Sequence, residues 1–164
     1  MIRFVGNDVV DFALASVESN WRRTGYLSKI FTEKEQKHIH ESENQSNIVW
    51  QLWSQKEAVY KLIRQMGAPR GFYPLKIEGS ISNDDFQEVV IENKVFYCQT
   101  NRDKHHLHTM AYVNKQQAQC VKNIPADSKI IKIGEFPFLK IAKKKLVPIS
   151  KSHHGKYEYR VGIF

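Results

Sequence analysis

Cysteine is scarce in this chain: Cys98 and Cys120 are its only two. They form no CxxC pair, so a disulfide-stapled secreted scaffold or a cysteine-built zinc site is not expected. Long apolar runs are missing too. None approaches the roughly 20 residues of a membrane-spanning helix. The start, Met1-Ile2-Arg3-Phe4-Val5-Gly6, lacks the longer apolar stretch and cleavage site of a secretory signal. There is no internal repeat and no low-complexity tail. A cytoplasmic protein with no membrane role is the expectation. Acid is the minority charge, 17 Asp and Glu against 25 Lys and Arg, for a net charge of +8. Such a surface attracts anions, whether nucleotide phosphates, nucleic acid or an acidic protein. The densest basic run is Lys140-Ile141-Ala142-Lys143-Lys144-Lys145. With 164 residues, 41% of them hydrophobic, the chain can bury one ordinary domain core.

The pattern is helical first and β afterwards. A short strand is expected over residues 2–5, ending near Gly6 or continuing to Val10, followed by a helix from Asp11 to Trp21. Thr32, with Glu35 three residues on, predicts a capped helix running to about Glu43. The strongest element spans 47–66, where Val49, Leu52, Val59, Ile63 and Met66 recur at helical spacing and Gly67 supplies a stop. Strands are expected at 75–77, 88–92, 94–99, 106–113, 129–133, 136–141 and 157–164. The order implies an α+β fold rather than a parallel doubly wound sheet.

Three segments carry residues suited to chemistry. In Gly6-Asn7-Asp8-Val9, a carboxylate closes an apolar strand, where it needs a partner or a cation; a turn or cap aspartate is the plainer reading. In Trp53-Ser54-Gln55-Lys56-Glu57-Ala58-Val59-Tyr60-Lys61, the residues Trp53, Glu57 and Lys61 fall on one helical stripe, each step about 6 Å along the axis. That stripe can set a metal-binding carboxylate beside a phosphate-binding lysine, or be an ordinary Glu–Lys surface pair. In Ser150-Lys151-Ser152-His153, both hydroxyls share a strand face and the imidazole follows, a set that suits phosphate or forms a polar turn.

Taken in order, the three segments resemble the 4'-phosphopantetheinyl transferase superfamily. The family pattern runs Gly-x-Asp-(Ile/Val), then (Trp/Phe)-x-x-Lys-Glu-Ala-x-x-Lys. Its holo-acyl-carrier-protein synthase branch continues with Gly-x-Pro-(Tyr/Phe)-Leu and a C-terminal Ser-x-Ser-His. Here the last two are Glu135-Phe136-Pro137-Phe138-Leu139, after Gly134 with one extra residue, and Ser150 to His153. The Thr32 to Glu35 helix start is also similar to that branch. The resemblance covers about 1–78 and 133–164. It leaves 79–132 as a β-rich insertion within a single domain, 1–164.

The resemblance implies a long helix packed on a small, mostly antiparallel sheet. It implies transfer of the phosphopantetheine arm of coenzyme A to a serine of an acidic apo acyl carrier protein, releasing 3',5'-ADP. Asp8 and Glu57 would bind Mg²⁺; Val10 stands where the two-unit branch has a further acid. Lys61 would neutralise the diphosphate, and Glu57, or a water it orients, would take the serine proton. Lys56, Ser152 and His153 would meet coenzyme A phosphates, and Arg22 and Arg23 would dock the carrier. One unit per chain implies a homo-oligomer, a trimer by analogy with the synthases. Three rivals stand beside this reading: a zinc enzyme built on His105, His106 and His108, a basic nucleic-acid-binding module without an RRM, KH or zinc-finger pattern, and a degenerate protein that binds coenzyme A without transferring its arm.

Overall fold

A computed structural model describes residues 3–164; Met1 and Ile2, the latter within the first expected strand, lie outside the described residues. The elements in order are β1 (Gly6–Asp11), α1 (Phe12–Glu18), α2 (Tyr26–Ile30), α3 (Glu33–Glu41), α4 (Gln45–Gln65), β2 (Ile77–Glu78), β3 (Gln87–Ile91), β4 (Lys94–Arg102), β5 (His106–Tyr112), β6 (Val121–Asn123), β7 (Ile130–Ile133), β8 (Phe136–Ala142), β9 (Lys145–His154) and β10 (Tyr157–Ile163). Two antiparallel sheets result, ordered β1-β5-β4-β3-β2 and β6-β10-β9-β8-β7. The fold is α+β, with α4 laid across the first sheet.

Local signals account for the helices. Thr32 Oγ1 accepts from the Glu35 amide while Glu35 Oε1 accepts from the Thr32 amide, the reciprocal box that starts α3. Along α4, Val49, Leu52, Val59, Leu62 and Ile63 are buried, the apolar stripe that packs the helix on the sheet. The first expected helix is shorter than its pattern at both ends: Asp11 is the N-cap of α1, accepting from Ala13 and Leu14, and the chain turns extended at Ser19. α2 had no clear periodicity to announce it. The strand expected at 75–77 shrinks to Ile77–Glu78, since Pro74 opens a tight 3₁₀ turn in front of it.

Residues 79–132 are woven into both sheets. β5 pairs with β1 from Gly6↔Ala111 to Asp11↔His106, so its residues flank Asp8. Buried Val89, Phe96, Cys98 and Ala111 meet Ala58, Val59 and Leu62 of α4 in one core, and Val10, Trp50, Leu52 and Leu107 join the helical half in another.

One glycine decides how close β1 comes to α4. A Cβ on Gly6 would lie 1.8 Å from the Ala58 carbonyl oxygen, so the strand and helix backbones touch there. That approach puts β1 against the turn of α4 that carries Glu57.

Candidate active site

Asp8 sits mid-way along β1, buried in the contact with α4. Its Oδ1 lies 3.6 Å from Lys61 Nζ and 3.4 Å from the Ser152 hydroxyl, which donates to it. Its Oδ2 is buried and has no hydrogen-bond partner among the described residues. Burial raises the Asp8 pKa, and the Lys61 charge pulls against it. Glu57 faces the same space. Burial, then the neighbouring Asp8 charge, pushes its carboxyl up to about 7, with Lys61 opposing. Asp8, Glu57, Trp53 and His153 line a cavity of about 160 Å³.

Two carboxylates held together away from water are costly unless something positive joins them. Lys61 supplies part of that charge, but its ammonium also donates to the Asn7 carbonyl at 2.9 Å. The unpartnered Oδ2 and the raised Glu57 mark the remaining deficit. Hard oxygen donors of this kind suit a divalent cation that keeps several waters. Among the described residues no three His, Cys, Asp or Glu side chains gather as a metal cluster.

Lys61 faces a second cavity, of about 350 Å³, with Arg64, Arg70, Lys151, Phe136 and Pro137 on its walls. The Phe-Pro segment thus reaches the site. Arg64, Arg70 and Lys151 were not among the expected site residues. Arg64 carried a signal, since it continues the Trp53-Glu57-Lys61 stripe one turn further. It is ion-paired with Glu135 and lies over the Phe136 ring.

Lys56 does not join the site. It is 2% exposed, and its ammonium donates to Glu35 Oε1 at 2.7 Å and to the carbonyls of Pro74 and Ile77. Burial lowers its pKa and Glu35 opposes that. One residue along the helix turns the side chain by about 100°, so Lys56 and Glu57 leave α4 in different directions. The anion-binding role expected of Lys56 is corrected to that of a buried clamp tying α3 and the 74–79 segment to α4. Ser152 is likewise buried, its hydroxyl held by β1. His153 is exposed at the rim.

Arg22 stacks over Trp21 at 4.0 Å and Arg23 over Tyr26 at 5.5 Å. Arg22 borders a groove of about 400 Å³ that shares Ser19 and Trp50 with the Asp8 cavity. Two of the three histidines of the zinc reading, His106 and His108, are otherwise engaged. His108 Nε2 lies 3.0 Å from Asn7 Nδ2 and its ring stacks on Tyr159. Burial lowers the His108 pKa to about 4, so the neutral ring accepts that bond. His106 stacks on Tyr157 and meets the Tyr159 hydroxyl and Asp103.

No curated protein matches the chain at a significant level. A family model does. It covers residues 4–121, most of the chain, taking in Asp8, Glu57 and Lys61 and running through β3, β4 and β5. The Pro-Phe-Leu and Ser-x-Ser-His segments lie beyond its end. With that extent of match, placed over these two carboxylates and their lysine, the chain belongs to the 4'-phosphopantetheinyl transferase superfamily.

Proposed function

We propose that the protein transfers the 4'-phosphopantetheine arm of coenzyme A to a serine of an apo acyl carrier protein, with Mg²⁺, releasing 3',5'-ADP. The observation that carries this reading is the buried Asp8 beside the half-buried Glu57, one with an unpartnered oxygen and the other raised to about 7, next to Lys61. Asp8 and Glu57 would hold the cation. When bound, Mg²⁺ supplies positive charge to the diphosphate of the substrate.

The remaining work belongs to the chain. Lys61, partly exposed between the two cavities, offsets charge on the diphosphate as the leaving group departs. Glu57, or a water it orients, accepts the proton of the attacking serine. On the wall of the larger cavity Lys61, Arg64, Arg70 and Lys151 outnumber the one acid, Glu135, which pairs with Arg64, so the surface suits coenzyme A phosphates, and His153 stands at the rim of the smaller cavity. Arg22 borders the groove that shares Ser19 and Trp50 with the Asp8 cavity, and Arg23 follows it in the chain; an acidic carrier would be steered to this charge.

We place the complete site in a homo-oligomer, a trimer by resemblance. Ile133, Ile141 and Leu146, exposed along β7, β8 and β9, give apolar surface for that assembly. Both cysteines are free, in keeping with a cytoplasmic setting, and no described helix is long and apolar enough to cross a membrane.

The test is direct. The protein is incubated with coenzyme A, Mg²⁺ and several apo acyl carrier proteins, and each carrier is weighed by mass spectrometry. A gain of one phosphopantetheine arm, lost in Glu57→Gln, is the expected result. Coenzyme A binding with no gain on any carrier would make this a degenerate transferase. No gain and no binding would remove the reading.

A further inference from the structure

The Ser150-Lys151-Ser152-His153-His154 run, half of β9, touches β1 in a regular way that the transfer reading does not use. β1 ends the first sheet, with β5 on one side. In an antiparallel pair only alternate amides point to the partner strand. The amides of Asn7, Val9 and Asp11 point the other way, and each finds a β9 side chain. Asn7 N donates to Ser150 Oγ at 2.9 Å, Val9 N to Ser152 Oγ at 3.0 Å, and Asp11 N to His154 Nδ1 at 2.9 Å.

The periods match for a simple reason. Free amides along one edge of a strand recur every second residue, and so do side chains on one face of another. The edge of β1 therefore lies on the face of the second sheet, and positions 150, 152 and 154 act as rungs. The third rung is a longer imidazole spanning the same bond length, so the strands diverge toward its end. The far end is closed at Gly155, where a Cβ would lie 2.1 Å from Asp11 Oδ2, and the Lys156 amide donates to that oxygen.

The rungs differ in what else they hold. Ser150 donates its proton to Asn7 Oδ1 at 2.6 Å, within the neutral Asn7–His108 network. Ser152 donates to Asp8 Oδ1 at 3.4 Å. With Oδ1 shared between Ser152 and Lys61, it is Oδ2 that remains buried and unpartnered.

We propose that Ser152 is a positioning residue: it binds the Val9 amide and Asp8 Oδ1 together, fixing the carboxylate so that Oδ2 is the oxygen offered to the cation. This rests on the reading of Asp8 and Glu57 as cation ligands. Ser152 thereby has a role distinct from contact with coenzyme A.

The experiment uses Mn²⁺ as the probe and electron paramagnetic resonance of free Mn²⁺ as the readout, on the full chain without substrates. Outer partners of metal ligands are typically worth about 10–100-fold in affinity. Ser152→Ala is expected to weaken Mn²⁺ by that factor, and Ser152→Thr, which keeps the hydroxyl, to restore it. Ser150→Ala removes an equivalent rung and is expected to bind as the wild type does. If Ser152→Ala does not fold, Ser152→Cys keeps the volume with a weak donor and is expected to show the same loss. Equal weakening by Ser150→Ala and Ser152→Ala would reduce the ladder to general strand support and overturn the proposal. Unchanged affinity in Ser152→Ala, with binding abolished in Asp8→Asn, would overturn it while leaving Asp8 as a ligand. Wild-type binding indifferent to Asp8→Asn would remove the ligand reading and the proposal with it.

Discussion

Replacing Glu57 with Gln should make the metal-free protein more stable, and only above a certain pH. The Glu57 carboxyl is raised from 4.5 to about 7 by burial and by Asp8. Below 4.5 it carries its proton folded or unfolded, and its burial is not penalised for charge. Between 4.5 and about 7 the unfolded chain releases the proton first, so folding loses free energy as pH rises. Above about 7 the full cost is present. At 1.36 kcal/mol per unit, that cost is about 3 kcal/mol. For a chain of this size it corresponds to roughly 6–12 °C in Tm. The neutral amide of Gln has nearly the same shape and escapes the charge term.

The assay is thermal and urea unfolding in EDTA from pH 4 to 8.5, wild type against Glu57→Gln. The curves should meet near pH 4.5 and separate by about 3 kcal/mol at pH 8. Asp8 is raised in the same direction, so a slope will persist in the variant, and the difference between the curves reports Glu57 together with its repulsion of Asp8. Added Mg²⁺ should then stabilise the wild type at pH 8 and leave the variant nearly unmoved. A variant less stable at pH 8, or a difference of one size at every pH, would show that Glu57 is not held charged beside Asp8.

Gly6→Ala should destabilise by about 1–3 kcal/mol or more, measured by urea unfolding, because its methyl meets the Ala58 backbone rather than a movable side chain. Lys56→Ala should cost about 3–5 kcal/mol by leaving the Glu35 carboxylate buried without its cation, whereas a joint Lys56→Met and Glu35→Gln change should cost less; equal costs would remove the clamp. Reversing Arg22 and Arg23 to Glu should raise the carrier KM several-fold, by about 1 kcal/mol or more, with coenzyme A affinity unchanged in calorimetry; an unmoved KM would free both residues of docking.

Much of the helical half was legible in the sequence because its determinants are local. The Thr32–Glu35 box lies within four residues, and the α4 stripe is a matter of spacing. The same spacing placed Glu57 and Lys61 one turn apart, and both face the cavities beside Asp8. The shortened strand before Gly79 and the extra helix α2 were less legible, since a 3₁₀ turn at Pro74 and a five-residue helix leave little periodicity to read.

What tertiary structure alone decided is which polar groups meet. Lys56 and Lys61 sit on the same helix with the same chemistry. Only the packing of α3 and the 74–79 segment turns one into a buried clamp, while β1 brings the other to Asp8. Ser150, Ser152 and His153 read as a phosphate site because hydroxyls and imidazole suit an anion. In the fold the two hydroxyls, with the imidazole of His154 rather than His153, meet β1 amides more than 140 residues away, and nothing local records that contact. The sequence determined the helix faces and the residue types, which depend on neighbours a few positions apart. The pairing of buried polar groups depends on which distant backbone still lacks a partner, and that is known only once the two sheets have closed on each other.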